Sequence, residues 1–149
     1  MVLAFPTGGL HDTKHYTIDI IDTILAENMS SRLFMKLREE NGLVYSVSSD
    51  YDAYEESGYY CIMTKVIPTN VSKAVKIIIN ELKKMKNVLV GKDEFKKAMD
   101  STINSGKLLN DDSEGLVEHY GEQFLFKNEI LTPEQMLLKY KEVTIDKMK

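Results

Sequence analysis

The sequence has no tryptophan, one cysteine, three prolines and three histidines among its 149 residues. The single cysteine, Cys61, cannot form an internal disulfide, which favours a reducing compartment and predicts a cytoplasmic protein. Because Cys61 lies within a predicted strand, we interpret it as a small core residue rather than a nucleophile. So few histidines also give no basis for a Ser-His-Asp or Cys-His catalytic arrangement.

Long apolar runs are missing too. No segment approaches the roughly 20 apolar residues that span a bilayer. The segment 1–6 is too short for a signal peptide and lacks the basic residues at its start. The net charge of −4 comes from interspersed charges of both signs, which gives no electrostatic reason to expect nucleic acid. The lysine-rich run at 83–86 is interpreted as a solvated helix face. The sequence therefore predicts neither a membrane partner nor a nucleic-acid partner.

The composition that is present, 43% hydrophobic and 28% charged, is that of one globular domain with a substantial core. Strand patterns occur at 2–5, 43–51 and 59–67, and the polar segment 52–58 predicts that the last two form an antiparallel hairpin. Helical spacing of apolar residues predicts helices at 16–25, 71–85 and 95–109, and start signals at 111–113 and 132–135 indicate two more. The predicted fold class is α+β, an antiparallel β-sheet covered by helices on one face.

Short polar residues are predicted to cap these helices, with Asp12 or Thr13 at the first and Thr69 or Asn70 at the helix over 71–85. Thr144 is one more predicted cap, for a helix from 145 onward that stops within one turn. A helix that short is not a natural end, and the first strand begins at once. We therefore expect residues 1–149 to form a single domain that is a fragment of a longer chain.

The segment 28–51 organises the rest of the sequence. Ser30 or Ser31 can cap a helical turn, and Asn41-Gly42 is a strong helix terminator because glycine adopts the left-handed conformation readily. A half-buried strand then follows, with Tyr45 on the same face as Leu43 and Val47. A helix-to-strand turn of this kind brings Arg38, in the last helical turn, close to Tyr45, early in the strand.

The sequence His11-Asp12-Thr13-Lys14-His15 resembles part of a zinc motif, since two histidines four apart can share a metal. Three features argue against a site. Aspartate is shorter than the glutamate that such motifs use, the predicted cap places His11 outside the helix, and a third ligand has no obvious source. His119 is isolated in the sequence, with no identifiable catalytic or metal-binding partner. We therefore predict no metal bound by this chain, and no nucleophile or general base within it.

Residues 29–34, Met-Ser-Ser-Arg-Leu-Phe, and residues 37–46, Leu-Arg-Glu-x-x-Gly-Leu-x-Tyr-Ser, resemble the C-terminal, non-zinc domain of the M16 family of zinc metallopeptidases. This is the pitrilysin, insulinase and mitochondrial processing peptidase group. Weaker similarity extends over nearly the whole chain. The resemblance implies an M16 (LuxS/MPP-like) type domain. In the family's inverted motif, His-x-x-Glu-His, the glutamate position would fall on Lys14, which cannot replace it.

The resemblance also implies a function. The chain would be the substrate-binding C-terminal half of a zinc-dependent endopeptidase or oligopeptidase, inactive without an N-terminal catalytic half on the same chain or on a partner subunit. That half would supply His-x-x-Glu-His and a downstream glutamate as ligands of the zinc cofactor. Arg38 and Tyr45 would reach across to the peptide substrate, bind it and stabilise the scissile carbonyl.

Other interpretations remain open from the sequence. Arg38 can make a contact at a helix C-terminus that is favourable with the helix dipole, and Tyr45 can be a core residue. The chain can also be a non-catalytic structural or presequence-binding M16-like subunit, in which the fold persists without proteolysis. A third possibility is an unrelated α+β binding module.

Overall fold

A three-stranded antiparallel sheet with strand order β1-β3-β2 forms one layer of the protein. The computed structural model describes residues 1–127 and 129–148. The strands are β1 (Val2–Thr7), β2 (Val44–Ala53) and β3 (Gly58–Val66). The two later strands form the predicted hairpin, and β1 pairs with the other edge of β3. The hydrophobic central strand is thus paired on both sides.

Helices account for most of the remaining chain. They are α1 (His15–Leu25), α2 (Arg32–Phe34, continuing as a π-helical turn, Met35–Glu39), α3 (Val71–Asn87), α4 (Lys92–Leu108), α5 (Ser113–Phe126) and α6 (Pro133–Lys141). Short 3₁₀ turns are Pro68–Asn70, Leu109–Asp111 and Ile145–Met148. Within the described residues, no helix combines the length and apolar character needed to cross a bilayer.

The core lies between the sheet and the helices. Ile62 in the middle of β3 is fully buried and has Leu3 of β1 opposite it. The helices cover this face of the sheet with fully buried side chains from α1, α2, its π-helical turn and α3: Ile20, Leu25, Leu33, Leu37 and Ile78. The predicted α+β fold with helices over one face of an antiparallel sheet is confirmed.

The helix starts agree only partly with the predicted caps. The capping box at the start of α6 is confirmed, because the Thr132 hydroxyl accepts from the Gln135 N–H while the Gln135 side chain accepts from the Thr132 N–H. The predicted start at 111–113 is also confirmed, because the Asp112 side chain accepts from the Glu114 N–H at 3.1 Å. The caps predicted for the first three helices form no capping hydrogen bond from a side chain. Asp12 accepts from the N–H of Lys14 in a turn that precedes α1, so its side chain is used before the helix begins. Asn70 and Ser31 occupy cap positions without a capping hydrogen bond from the side chain.

The chain after Thr144 forms a 3₁₀ turn, Ile145–Met148, rather than the predicted start of an α-helix. The Lys147 N–H donates to the Thr144 carbonyl at 3.0 Å, a three-residue spacing that defines the tighter turn. The buried side chain of Met148 fixes this turn against the core. Lys149, the last residue of the predicted helix, lies outside the described residues.

Two acid–tyrosine pairs connect α1 to its neighbours. The Tyr60 hydroxyl in β3 donates to Asp22 Oδ1 at 2.7 Å, and the Tyr140 hydroxyl in α6 donates to Asp19. Burial raises the pKa of the Asp22 carboxyl above its usual range, although the Tyr60 hydrogen bond opposes the shift. The pKa of Asp19 is raised in the same way, chiefly by burial. Both pairs thus hold the sheet and α6 to α1 at the cost of partly burying a carboxylate.

We expect Asp22→Asn to remove part of the pH dependence of stability. Because the pKa of Asp22 is higher in the folded state than in the unfolded state, the protonated carboxyl contributes to stability. This contribution is complete below about pH 4 and is lost as the pH rises through the folded-state pKa. Asparagine retains an acceptor for Tyr60 without a charge. Urea denaturation should therefore show the stability of the variant, relative to the original chain, increasing between pH 4 and pH 7. The exposed Asp146→Asn serves as the control, and an equal difference at both pH values would contradict the expectation.

Candidate functional site

The turn between α2 and β2 is closed by three backbone hydrogen bonds. The Glu40 N–H donates to the Met35 carbonyl at 2.9 Å, which is the wide spacing of a π-turn. The Gly42 N–H donates to the Arg38 carbonyl at 2.9 Å, and the Leu43 N–H donates to the Leu37 carbonyl at 2.8 Å. Gly42 has a φ of +56°, the left-handed conformation that its predicted role as helix terminator requires. The chain therefore reverses at once from Arg38 into β2.

A β-bulge then turns Tyr45 outward. Val44 pairs with Val66 and Val47 pairs with Thr64, so two residues of β2, Tyr45 and Ser46, lie opposite one residue of β3. The buried Thr64 hydroxyl donates to the Ser46 carbonyl at 2.7 Å, which gives this carbonyl a hydrogen-bond partner within the bulge. Val44 and Val47 are both buried, whereas Tyr45 is 80% exposed. The expectation that Tyr45 shares a face with Leu43 and Val47 is wrong, because the extra residue breaks the two-residue alternation.

Arg38 and Tyr45 lie together at the protein surface. The Arg38 Cζ atom lies 5.1 Å from the centroid of the Tyr45 ring and 4.9 Å from the centroid of the Phe34 ring. Its Nε atom is 3.5 Å from the Glu39 carboxylate, and the Arg38 side chain is 37% exposed. Of the two sequence-based interpretations of Tyr45, the core residue is excluded by its exposure. The role of the pair in substrate binding stays a prediction.

The second arginine of the same segment, Arg32, has a different environment. Its Nε and Nη2 atoms donate to the two carboxylate oxygens of Glu94 at 2.7 Å and 2.6 Å. This bidentate pair joins α2 to the first turn of α4 and is half-buried. Arg32 thus anchors the helix that continues into the turn carrying Arg38. Sequence reasoning missed this contact because Glu94 is 62 residues away. It also missed the contact between Phe34 and Arg38, because apolar spacing does not show which side chain lies over a ring.

The histidines do not form a metal centre in this structure. His11 is exposed and precedes α1, as its predicted place outside the helix requires, and the His15 Nδ1 atom lies 2.8 Å from the Asp12 carbonyl. Among residues 1–127 and 129–148, no group of three or more His, Cys, Asp or Glu side chains could hold a metal ion. Zinc therefore does not fit the described residues of this chain.

His119 and Cys61 have structural surroundings. The His119 Nε2 atom contacts the Leu131 carbonyl at 2.9 Å and the Gln123 side chain at 2.8 Å, which connects α5 to the segment before α6. Cys61 is 5% exposed in β3. Burial raises the pKa of its thiol and disfavours the thiolate that a nucleophile needs. The expectation that Cys61 is a buried strand residue is confirmed.

Comparison with known proteins shows what this chain is similar to. A family model described as the peptidase M16 inactive domain matches residues 1–102. An uncharacterized zinc protease of Streptomyces coelicolor is 28% identical over 146 residues, which is 98% of this chain and 32% of that protein. Two curated relatives match nearly all residues of this chain, and the chain spans about a third of the length of each.

Solved structures agree in fold. The peptidase M16 inactive domain from Pseudomonas fluorescens has a TM-score of 0.82 at 18% identity, covering 99% of this chain and 36% of that one. The periplasmic protease PqqL from Escherichia coli has a TM-score of 0.75 at 12% identity, covering 99% of this chain and 16% of that one. At these identities the likeness establishes the fold alone.

Proposed function

We propose that this chain is the substrate-binding C-terminal half of a zinc-dependent peptidase. The chain belongs to the peptidase M16 family and matches the model of its inactive domain. In this proposal residues 1–149 are a single domain of a longer protein. An N-terminal catalytic half, on the same or another polypeptide, completes the active site. The expected reaction is hydrolysis of a peptide bond, and this chain alone is inactive.

The observation that carries the proposal is the exposed pair formed by Arg38 and Tyr45. Peptide hydrolysis builds negative charge on the carbonyl oxygen, and donors fixed around that oxygen lower the barrier. Arg38 supplies a permanent charge, and Tyr45 supplies a neutral hydroxyl donor. Within the described residues, the Arg38 side chain has a single ion-pair contact, with Glu39 at 3.5 Å, so most of its N–H groups are free for a substrate.

The zinc ion belongs, in this proposal, to the N-terminal half. Relatives of this chain are named zinc proteases, whereas the described residues hold no cluster of metal ligands. What this chain contributes is the binding and orientation of the peptide and charge stabilisation at its carbonyl oxygen. The single cysteine keeps the cytoplasm as the predicted compartment, although one structural neighbour is a periplasmic protease.

Separating the two halves tests the proposal. The N-terminal catalytic half, whether it is encoded with this chain or separately, is expressed as one polypeptide, and the part from Met1 onward as another. We expect cleavage of a fluorogenic peptide mixture only when both are combined, with zinc bound by the first. A second part carrying the exposed substitution Lys141→Ala should restore cleavage equally well. Full turnover by the N-terminal polypeptide alone would overturn the proposal.

A further inference from the structure

We propose that Phe34 is a positioning residue which, together with Tyr45, fixes the guanidinium of Arg38 in the orientation used on the substrate. The inference rests on the proposed function, and it assigns a role to a side chain to which the sequence pattern assigned none. Phe34, Arg38 and Tyr45 are called the aromatic clamp below.

The clamp holds Arg38 through the faces of two rings. The guanidinium carbon lies 4.9 Å from the Phe34 centroid and 5.1 Å from the Tyr45 centroid, both within the range of a cation–π contact. A guanidinium stacked on rings leaves its N–H edge available, because stacking does not consume hydrogen-bond donors. Ring contacts therefore orient Arg38 without occupying the groups that a carbonyl or carboxylate oxygen would need.

Arg32 provides the contrast within the same segment. Its guanidinium is satisfied by the two oxygens of Glu94 at 2.7 Å and 2.6 Å, an arrangement that uses the donors and fixes a helix. In the part of the chain that the structure describes, the polar contact of the Arg38 guanidinium is the longer one of 3.5 Å with its neighbour Glu39. One arginine is thus used to build the domain, and the other is held in place with its donors free.

Of the two rings in the aromatic clamp, that of Phe34 is held more firmly by its surroundings. It ends α2 and is partly buried against the core, next to the fully buried Leu33. The Arg32–Glu94 pair ties the same helix to α4. Tyr45, by contrast, is 80% exposed on a β-bulge. A ring fixed by the core narrows the set of orientations that the long Arg38 side chain samples before substrate arrives.

The first part of the test measures the clamp itself. The sequence contains two arginines, so arginine-selective ¹⁵N labelling gives two Nε–Hε signals, which Arg32→Lys assigns. We expect Phe34→Leu to shift the Arg38 signal through loss of the ring current and to leave the Arg32 signal in place, which also reports that the fold is retained. Met35→Leu, at the adjacent exposed position, should move neither. An Arg38 signal unchanged by Phe34→Leu overturns the inference.

The second part measures the role in the complete enzyme. We expect Phe34→Leu to lower kcat by about three- to tenfold with KM nearly unchanged, since a looser guanidinium stabilises the transition state less. Phe34→Tyr, which keeps the ring, should restore kcat, and Met35→Leu should have no effect. In an Arg38→Ala background, Phe34→Leu should cause no further loss, because both substitutions then act through the same group.

The outcomes separate this inference from the proposed function. If Arg38→Ala is severely impaired while Phe34→Leu keeps the original kcat, the positioning role is overturned and the proposed function stands. If Arg38→Ala itself keeps full turnover, the proposed function is overturned, and the role of Phe34 in it is overturned as well. If Phe34→Leu lowers kcat equally with and without Arg38, its effect is a general structural one and the inference is wrong.

Discussion

Replacing Arg38 with alanine in the complete enzyme is expected to lower kcat/KM by about 10²–10³-fold, the usual effect of removing one donor from a developing oxyanion. In the proposed function, negative charge forms on the scissile carbonyl oxygen, and the Arg38 guanidinium stabilises that charge. Arg38 lies at the surface, and among residues 1–127 and 129–148 its side chain makes no hydrogen bond to a distant element, so the loss should not come from unfolding. Turnover of a defined peptide by the purified variant gives the value.

Three controls interpret that result. Zinc content and the urea midpoint of Arg38→Ala should match those of the original enzyme. Arg38→Lys should recover only part of the loss, since an ammonium lacks the planar fork and stacks poorly on Tyr45. Tyr45→Phe keeps the ring beside Arg38 and removes only the hydroxyl, so its loss in kcat isolates the phenol donor. Unchanged turnover in Arg38→Ala with zinc retained would overturn the role of Arg38 and, with it, the proposed function.

The second large effect concerns stability. Ile62→Ala is expected to lower the free energy of unfolding by about 2–5 kcal/mol, because truncation of a fully buried aliphatic side chain leaves a cavity. Ile62 is 0% exposed in the central strand, with Leu3 and Ser49 opposite it on the neighbouring strands. Neither the sheet nor the helices that cover it can close the gap without moving. Urea denaturation of the chain measures the change.

Lys65→Ala on the same strand is the matched control. Its side chain is exposed, so the free energy of unfolding should change by less than about 0.5 kcal/mol. A loss below about 1 kcal/mol in Ile62→Ala would mean that the face between the sheet and the helices is not close-packed around Ile62.

Local sequence signals predicted much of the fold. The Thr132-Pro133 start of α6 needs only residues within one turn, and its capping box forms as expected. Gly42 ends the helix because only its own backbone has to adopt a positive φ. The hairpin of β2 and β3 follows from two apolar runs with a polar segment between them. These features share one property, in that the residues that determine them are close together in the sequence.

Features that depend on distant partners could not be predicted. The bulge that exposes Tyr45 is stabilised by the hydrogen bond from Thr64 to Ser46, 18 residues apart. The apolar pattern of β2 alone does not predict this bulge. Arg32 finds Glu94 and Asp22 finds Tyr60 only when the helices pack. In the candidate site, Arg38 and Tyr45 were selected by resemblance to a family, whereas the contribution of Phe34 becomes visible only from the distances between rings and guanidinium.

The central claim is that Arg38 binds the transition state of a reaction whose metal lies in another half of the protein. The most direct measurement is the dissociation constant of a peptide phosphonate, whose anionic oxygens imitate the tetrahedral intermediate. In the complete enzyme, Arg38→Ala should weaken phosphonate binding by about 10²–10³-fold, the same factor by which it lowers kcat/KM. Equal phosphonate affinity in the original enzyme and in Arg38→Ala would contradict the claim.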